Sequence, residues 1–135
     1  MWSICAWATA HVPATKEDMA VQFDQFSISL LILRQDAPQL DAAADAALQD
    51  AHMAFLADLH HAGQLLAAGP LLDERYRGLS VLNVGPEDAR RLKQADPAVQ
   101  ANKYAIHVMP WIVPGGAVAF SPTRFPRSMA EVRGT

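Results

Sequence analysis

The strongest pattern along the chain is Phe26-Ser27-Ile28-Ser29-Leu30-Leu31-Ile32-Leu33, which alternates polar and apolar residues at its start and becomes wholly apolar later. Alternation with a period of two predicts a strand, and the continuous apolar end predicts burial on both faces, as in the middle of a sheet. Beyond the turn residues Asp36-Ala37-Pro38, positions 41–62 contain no Gly or Pro, are alanine-rich from 42 to 47, and meet Gly63 where a helix C-cap belongs. That stretch predicts a long helix. Leu65-Leu66-Ala67-Ala68, leaving through Gly69-Pro70-Leu71-Leu72, predicts a short second strand with an irregular exit. A third strand is expected at 79–84, after the charged turn 73–78. In Gly85-Pro86-Glu87-Asp88 the proline suits a first helical position and the acids a first turn, so a second helix should run to about residue 95. Positions 104–113 supply a fourth strand, which Pro110 assigns to an edge or to a late place in the strand.

The resulting order, βαββαβ, is most simply satisfied by a ferredoxin-like α+β two-layer sandwich, with two helices over one face of a four-stranded antiparallel sheet. Phe26, Ile28, Leu30 and Ile32 point one way on the first strand, and Leu31 and Leu33 the other. On the last strand Ile106, Val108 and Ile112 oppose Met109, Trp111 and Val113. Two helices cover one face only, so the other needs a second subunit or the terminal segments, and a homodimer is expected. Residues 1–20 lack sustained periodicity and read as an N-terminal arm before a domain at 21–113. Residues 114–135, interrupted by Gly115-Gly116, Pro122 and Pro126, read as a C-terminal arm, either irregular or carrying an extra edge strand around 118–120.

With 135 residues, the chain has the size for one core. Its 51% hydrophobic and 19% charged content argues against disorder, a collagen-like repeat or a coiled coil. A net charge of -3 offers no electrostatic basis for a nucleic-acid or membrane partner. The lone Cys5 forms neither an internal disulfide nor, by itself, a zinc site. The apolar start of the chain has no positive n-region, and no window reaches the roughly 18 consecutive apolar residues of a membrane span, so a soluble, cytoplasmic protein is expected.

Two polar residues fall on apolar helical faces. At about 100° per residue, Leu48, Phe55, Leu56 and Leu59 all lie within about 60° of His52, which puts this imidazole in mid-stripe. His61 falls on the opposite side and His60 at the margin, as ordinary surface histidines. On the second helix Ala89, Leu92 and Asp96 share a face. Asp96-Pro97 also reads as an N-cap and first-turn proline for a brief helical turn over 97–100. His52 is therefore either a hydrogen-bonded core histidine or a functional one, and Asp96 either a cap or its partner. If Asp96 reaches His52, the carboxylate fixes the ring's tautomer and raises its basicity, the preparation of a general base. No metal site is expected, because His60, His61, His52 and His107 bring no ligand spacing with them. Neither Gly69-Pro70 nor Gly115-Gly116 forms a phosphate loop, and Ser29 and Ser80 lack a nucleophile-elbow setting.

The pieces Ala51-His52-Met53-Ala54-Phe55-Leu56, Gly63-Gln64-Leu65-Leu66-Ala67-Ala68-Gly69-Pro70-Leu71, Gly78-Leu79-Ser80-Val81-Leu82 and Ala95-Asp96-Pro97 resemble, in order and spacing, the YciI-like (YCII-related) domain family across about 23–111. The resemblance implies a ferredoxin-like fold, usually dimeric, of the dimeric α+β barrel superfamily. It also implies a His-Asp active-site dyad falling on His52 and Asp96; assigned members include a dehalogenase of chlorinated hydroxyhydroquinone. Many relatives carry an aromatic residue after the D-P pair where this chain has Ala98, which implies a different pocket. The expectation is a cofactor-independent enzyme of isomerase, lyase or dehalogenase type. His52 and Asp96 would do acid–base work on a small cyclic or aromatic substrate walled by Phe55, Gly69, Pro70 and Leu71. The alternative is a non-catalytic small-molecule-binding or accessory dimeric domain.

Overall fold

The computed structural model of the chain describes residues 21–134. The expected N-terminal arm at 1–20, Cys5 included, lies outside the described residues. Strand β1 (Phe23–Leu33) leads to helix α1 (Ala42–His61), then β2 (Leu65–Pro70), β3 (Tyr76–Leu82), helix α2 (Pro86–Gln94), the single turn α3 (Pro97–Gln100), β4 (Tyr104–Pro114) and the short helix α4 (Met129–Arg133). The strands form one sheet in the order β2-β3-β1-β4, every neighbouring pair antiparallel. This is the ferredoxin-like α+β arrangement, with β1 central as its apolar end requires and Pro110 on an edge strand, where a missing N–H does least harm.

The helices begin and end as their sequences dictate. Asp41 caps α1 by accepting from the Ala44 amide at 2.8 Å, and Gly63 follows its end with φ of 81°, a left-handed conformation that costs glycine little. Gly85 stands at the N-cap of α2 with Pro86 next to it.

Leu59, Leu65, Leu82, Ala89 and Val108 form the main core between sheet and helices, and Leu31, Ala98 and Tyr104 form a second cluster. The β1 side chains facing the helices are thus Ser27, Ser29 and Leu31, all buried. Ser27 donates its hydroxyl to the Val84 carbonyl at 2.7 Å. Third-strand pairing starts at Tyr76 rather than at 79, because the turn expected to end there is already extended and bonded to β1 and β2.

No strand forms at 118–120; the C-terminal segment stays irregular until α4. Phe120 stands edge-on to Phe26 at 5.3 Å, and Phe26 also meets Trp111 on the face away from the helices. The segment then passes to α1. There the Thr123 amide donates to His60 Nε2 at 3.1 Å and Phe125 stacks on the His60 ring at 4.0 Å. Farther on, Arg127 pairs with Asp58 at 2.8 Å and the Met129 amide donates to Asp50 at 2.9 Å. His60 is accordingly not the ordinary surface histidine expected. Its Nδ1 lies 2.7 Å from the Leu65 carbonyl and donates to it, which leaves Nε2 as the acceptor for Thr123.

Candidate active site

His52 sits mid-way along α1, on the face turned to the sheet, and is 8% exposed. Asp96 is fully buried between α2 and α3. Its Oδ1 accepts from the Ala98 amide at 2.9 Å and its Oδ2 lies 2.7 Å from His52 Nδ1. Both alternatives for Asp96 therefore hold at once: one oxygen caps α3 and the other holds the imidazole. The Ala98 bond also aims the carboxylate, since a side chain tied to its own backbone two residues on has little rotational freedom left. Because a carboxylate accepts and does not donate, Nδ1 carries the proton toward Asp96, and Nε2 is the nitrogen with a free lone pair.

His52 lines a cavity of about 550 Å³. Met53 and Leu56 of α1 and Leu31 of β1 give it apolar walls, while Gly69, Pro70 and Leu71 contribute the end of β2 and its exit. Phe55 is absent from this lining. It packs instead against the main core around Leu59 and Leu65, because on α1 it lies on the other flank of the stripe from Leu56. Part of the enclosure comes from outside the expected domain: Phe125, Pro126, Met129 and Val132 of the C-terminal segment line the cavity too. Among the lining residues the ionisable ones are His52, Arg77 and Tyr104. Most of the wall is apolar with a few polar groups converging, the usual composition of a small-molecule site.

A further charged group lies beneath the pair. Lys93 of α2 is fully buried; its Nζ donates to Ser80 Oγ at 3.2 Å and stands 3.8 Å from Asp96 Oδ2. Burial pushes its pKa below the ordinary lysine value, with the Asp96 carboxylate pulling it partly back. Ser80 lines the cavity. Lys93 was not singled out from the sequence, although it lies four residues after Ala89 and three before Asp96, and so shares the inward face already assigned to them. Among the described residues no group of three His, Cys, Asp or Glu side chains is placed to hold a metal ion, and no helix is long and apolar enough to cross a membrane.

Residues 28–112 match the family model of the YCII-related domain. Among solved structures, 5-chloro-2-hydroxyhydroquinone dehydrochlorinase (TftG) from Burkholderia phenoliruptrix AC1100, in complex with 2,5-dihydroxybenzoquinone, is similar at 18% identity over 64% of this chain and 92% of its own, with a TM-score of 0.47. Curated proteins give no match.

Proposed function

The chain belongs to the YCII-related domain family, and from that premise we propose that it is a cofactor-independent enzyme whose His52, held by Asp96, moves protons on a small cyclic or aromatic molecule. The observation that carries this reading is the 2.7 Å contact between His52 Nδ1 and a fully buried Asp96, at the wall of a cavity of about 550 Å³. A buried carboxylate behind an imidazole stabilises the imidazolium once Nε2 has taken a proton, so the pair favours the product of proton abstraction over the resting ring. Isomerisation, lactone chemistry and elimination of a leaving group all begin with such a step.

The cavity volume falls within the range of about 300–1,000 Å³ typical of small-ligand sites. Met53, Leu56, Phe125 and Met129 offer apolar surface to a ring, and Gly69, Pro70 and Leu71 bring backbone close to it. Arg77 adds a cation for an oxyanion or carboxylate on the substrate. A second copy of the chain is the partner that suits the apolar sheet face, giving a homodimer.

A screen of small phenols, lactones and cyclic ketones for proton exchange in deuterated water, followed by NMR, tests the chemistry. His52→Gln should remain folded and lose about 10²- to 10⁴-fold in exchange or turnover, the usual contribution of a general acid–base group. Normal turnover by His52→Gln would disprove the mechanism. Ligands that raise the melting temperature without exchange or turnover would favour the non-catalytic binding domain.

A further inference from the structure

Ser80 and Lys93 are not used by the His52–Asp96 reading, yet Ser80 lines the same cavity and Lys93 stands against the same carboxylate. The Lys93 ammonium has no exposed surface, and its near partners are Ser80 Oγ at 3.2 Å and Asp96 Oδ2 at 3.8 Å. The oxygen it approaches is the one that accepts from His52. Ser29 lies directly opposite Ser80 in the β1–β3 ladder; it is 1% exposed and its hydroxyl has no hydrogen-bond partner among the described residues. A buried hydroxyl left without a partner is destabilising wherever it occurs. This one extends the buried polar strip past Ser80 without closing it, an arrangement hard to account for by packing alone.

We propose that Ser80, backed by Lys93, is a second proton-handling arm of the site, acting as the acid where His52 acts as the base. This rests on the acid–base reading of His52 and adds the group that answers it. In the step, His52 Nε2 takes a proton from a substrate C–H or O–H. The Ser80 hydroxyl gives its proton to the substrate oxygen or leaving atom that gains the electron pair, and regains one from the Lys93 ammonium. Lys93 ends as a neutral amine and His52 as an imidazolium, so the proton count closes. Asp96 Oδ2 faces the positive charge in both states, on Lys93 before the step and on His52 after it. The net charge of the buried cluster is therefore constant through the reaction, and no new buried charge has to be desolvated, which would be the main electrostatic cost in such a setting. Depression of the lysine pKa by burial acts in the same sense, making Lys93 a stronger acid than a surface lysine. The other charged residues of α2, namely Glu87, Asp88, Arg90 and Arg91, are exposed, and the charge acting on Lys93 is that of the Asp96 carboxylate, whose Oδ2 also holds the neutral His52 ring before the step.

The chain has three lysines, Lys16, Lys93 and Lys103, which makes selective ¹³Cε labelling readable residue by residue. In the full chain the Lys93 resonance should titrate at lower pH than the other two and should move in Ser80→Ala. Titration of Lys93 together with Lys103, or indifference to Ser80→Ala, overturns the proposal, and this readout needs no substrate. With a substrate from the exchange screen, Ser80→Ala should lower kcat by about 10²-fold, as loss of one donor to a developing oxyanion does. Turnover by the wild type should fall at alkaline pH as Lys93 loses its proton, and Lys93→Met, of similar shape and apolar, should lose that alkaline limb. If His52→Gln is inactive while Ser80→Ala and Lys93→Met keep wild-type rates and pH profiles, the second arm is wrong and the His52–Asp96 reading stands.

Discussion

Asp96 is the residue on which most of the buried polar chemistry depends. It caps α3, holds His52 and faces Lys93. Asp96→Ala would remove all three contacts and leave a buried ammonium uncompensated, so it should destabilise the protein by about 3–5 kcal/mol in urea unfolding, against about 1 kcal/mol for a cap alone. Lys93 gives a pH signature of its own. Its folded-state pKa lies below the ordinary value of 10.5, so between the two the unfolded chain binds more protons than the folded one, and stability attributable to this residue rises with pH in that window. The difference in unfolding free energy between wild type and Lys93→Met, followed by urea titration, should therefore change in favour of the wild type as pH climbs toward 10.5. A difference independent of pH would contradict the depressed value. His52 and Asp96 were legible in the sequence because each breaks an apolar helical stripe. Lys93 was not, because a lysine on a short, highly charged helix reads as a solvated residue unless its spacing to Asp96 is weighed.

At the scale of elements, caps and turns account for most boundaries. Asp41→Ala should cost about 1 kcal/mol by removing the α1 cap, a change measurable in thermal or urea unfolding with no effect on the cavity. β3 begins earlier than the alternation indicated because Tyr76 and Gly78 already pair with β1; a Cβ at Gly78 would come 3.3 Å from Leu31 Cδ1, so the glycine permits the close approach of these strands. The C-terminal segment is the element the sequence described least well. Its prolines and short apolar pieces carry no periodicity, yet Phe125 and Met129 find places on the cavity wall through contacts with His60 and Asp50. Deletion of residues 121–135 should leave the sheet and its helices folded. It should also raise the rate at which diethyl pyrocarbonate modifies His52, read by peptide mass spectrometry. An unchanged rate would show that the segment does not restrict access to the cavity.

For the whole molecule, the sheet face away from the helices carries Phe26, Ile28, Leu30, Met109 and Trp111, with Trp111 36% exposed. Phe120 covers part of it near Phe26. If a second copy covers the rest, Met109→Glu should shift the molar mass in light scattering from dimer to monomer, since a carboxylate buried in an apolar interface is strongly disfavoured. By itself the sequence determined the order of the four strands and the helices between them, though not α4, together with the central place of β1 and the inward facing of His52 and Asp96, because periodicity and capping are local properties written within a few residues of one another. Only the tertiary structure decided that both oxygens of Asp96 are engaged, that Lys93 beside it reaches Ser80, that Phe55 belongs to the core, and that the C-terminal segment lines the cavity. The contacts that decide them, such as His52 with Asp96, 44 positions apart, and Lys93 with Ser80, 13 apart, depend on how the layers pack, which no local pattern encodes.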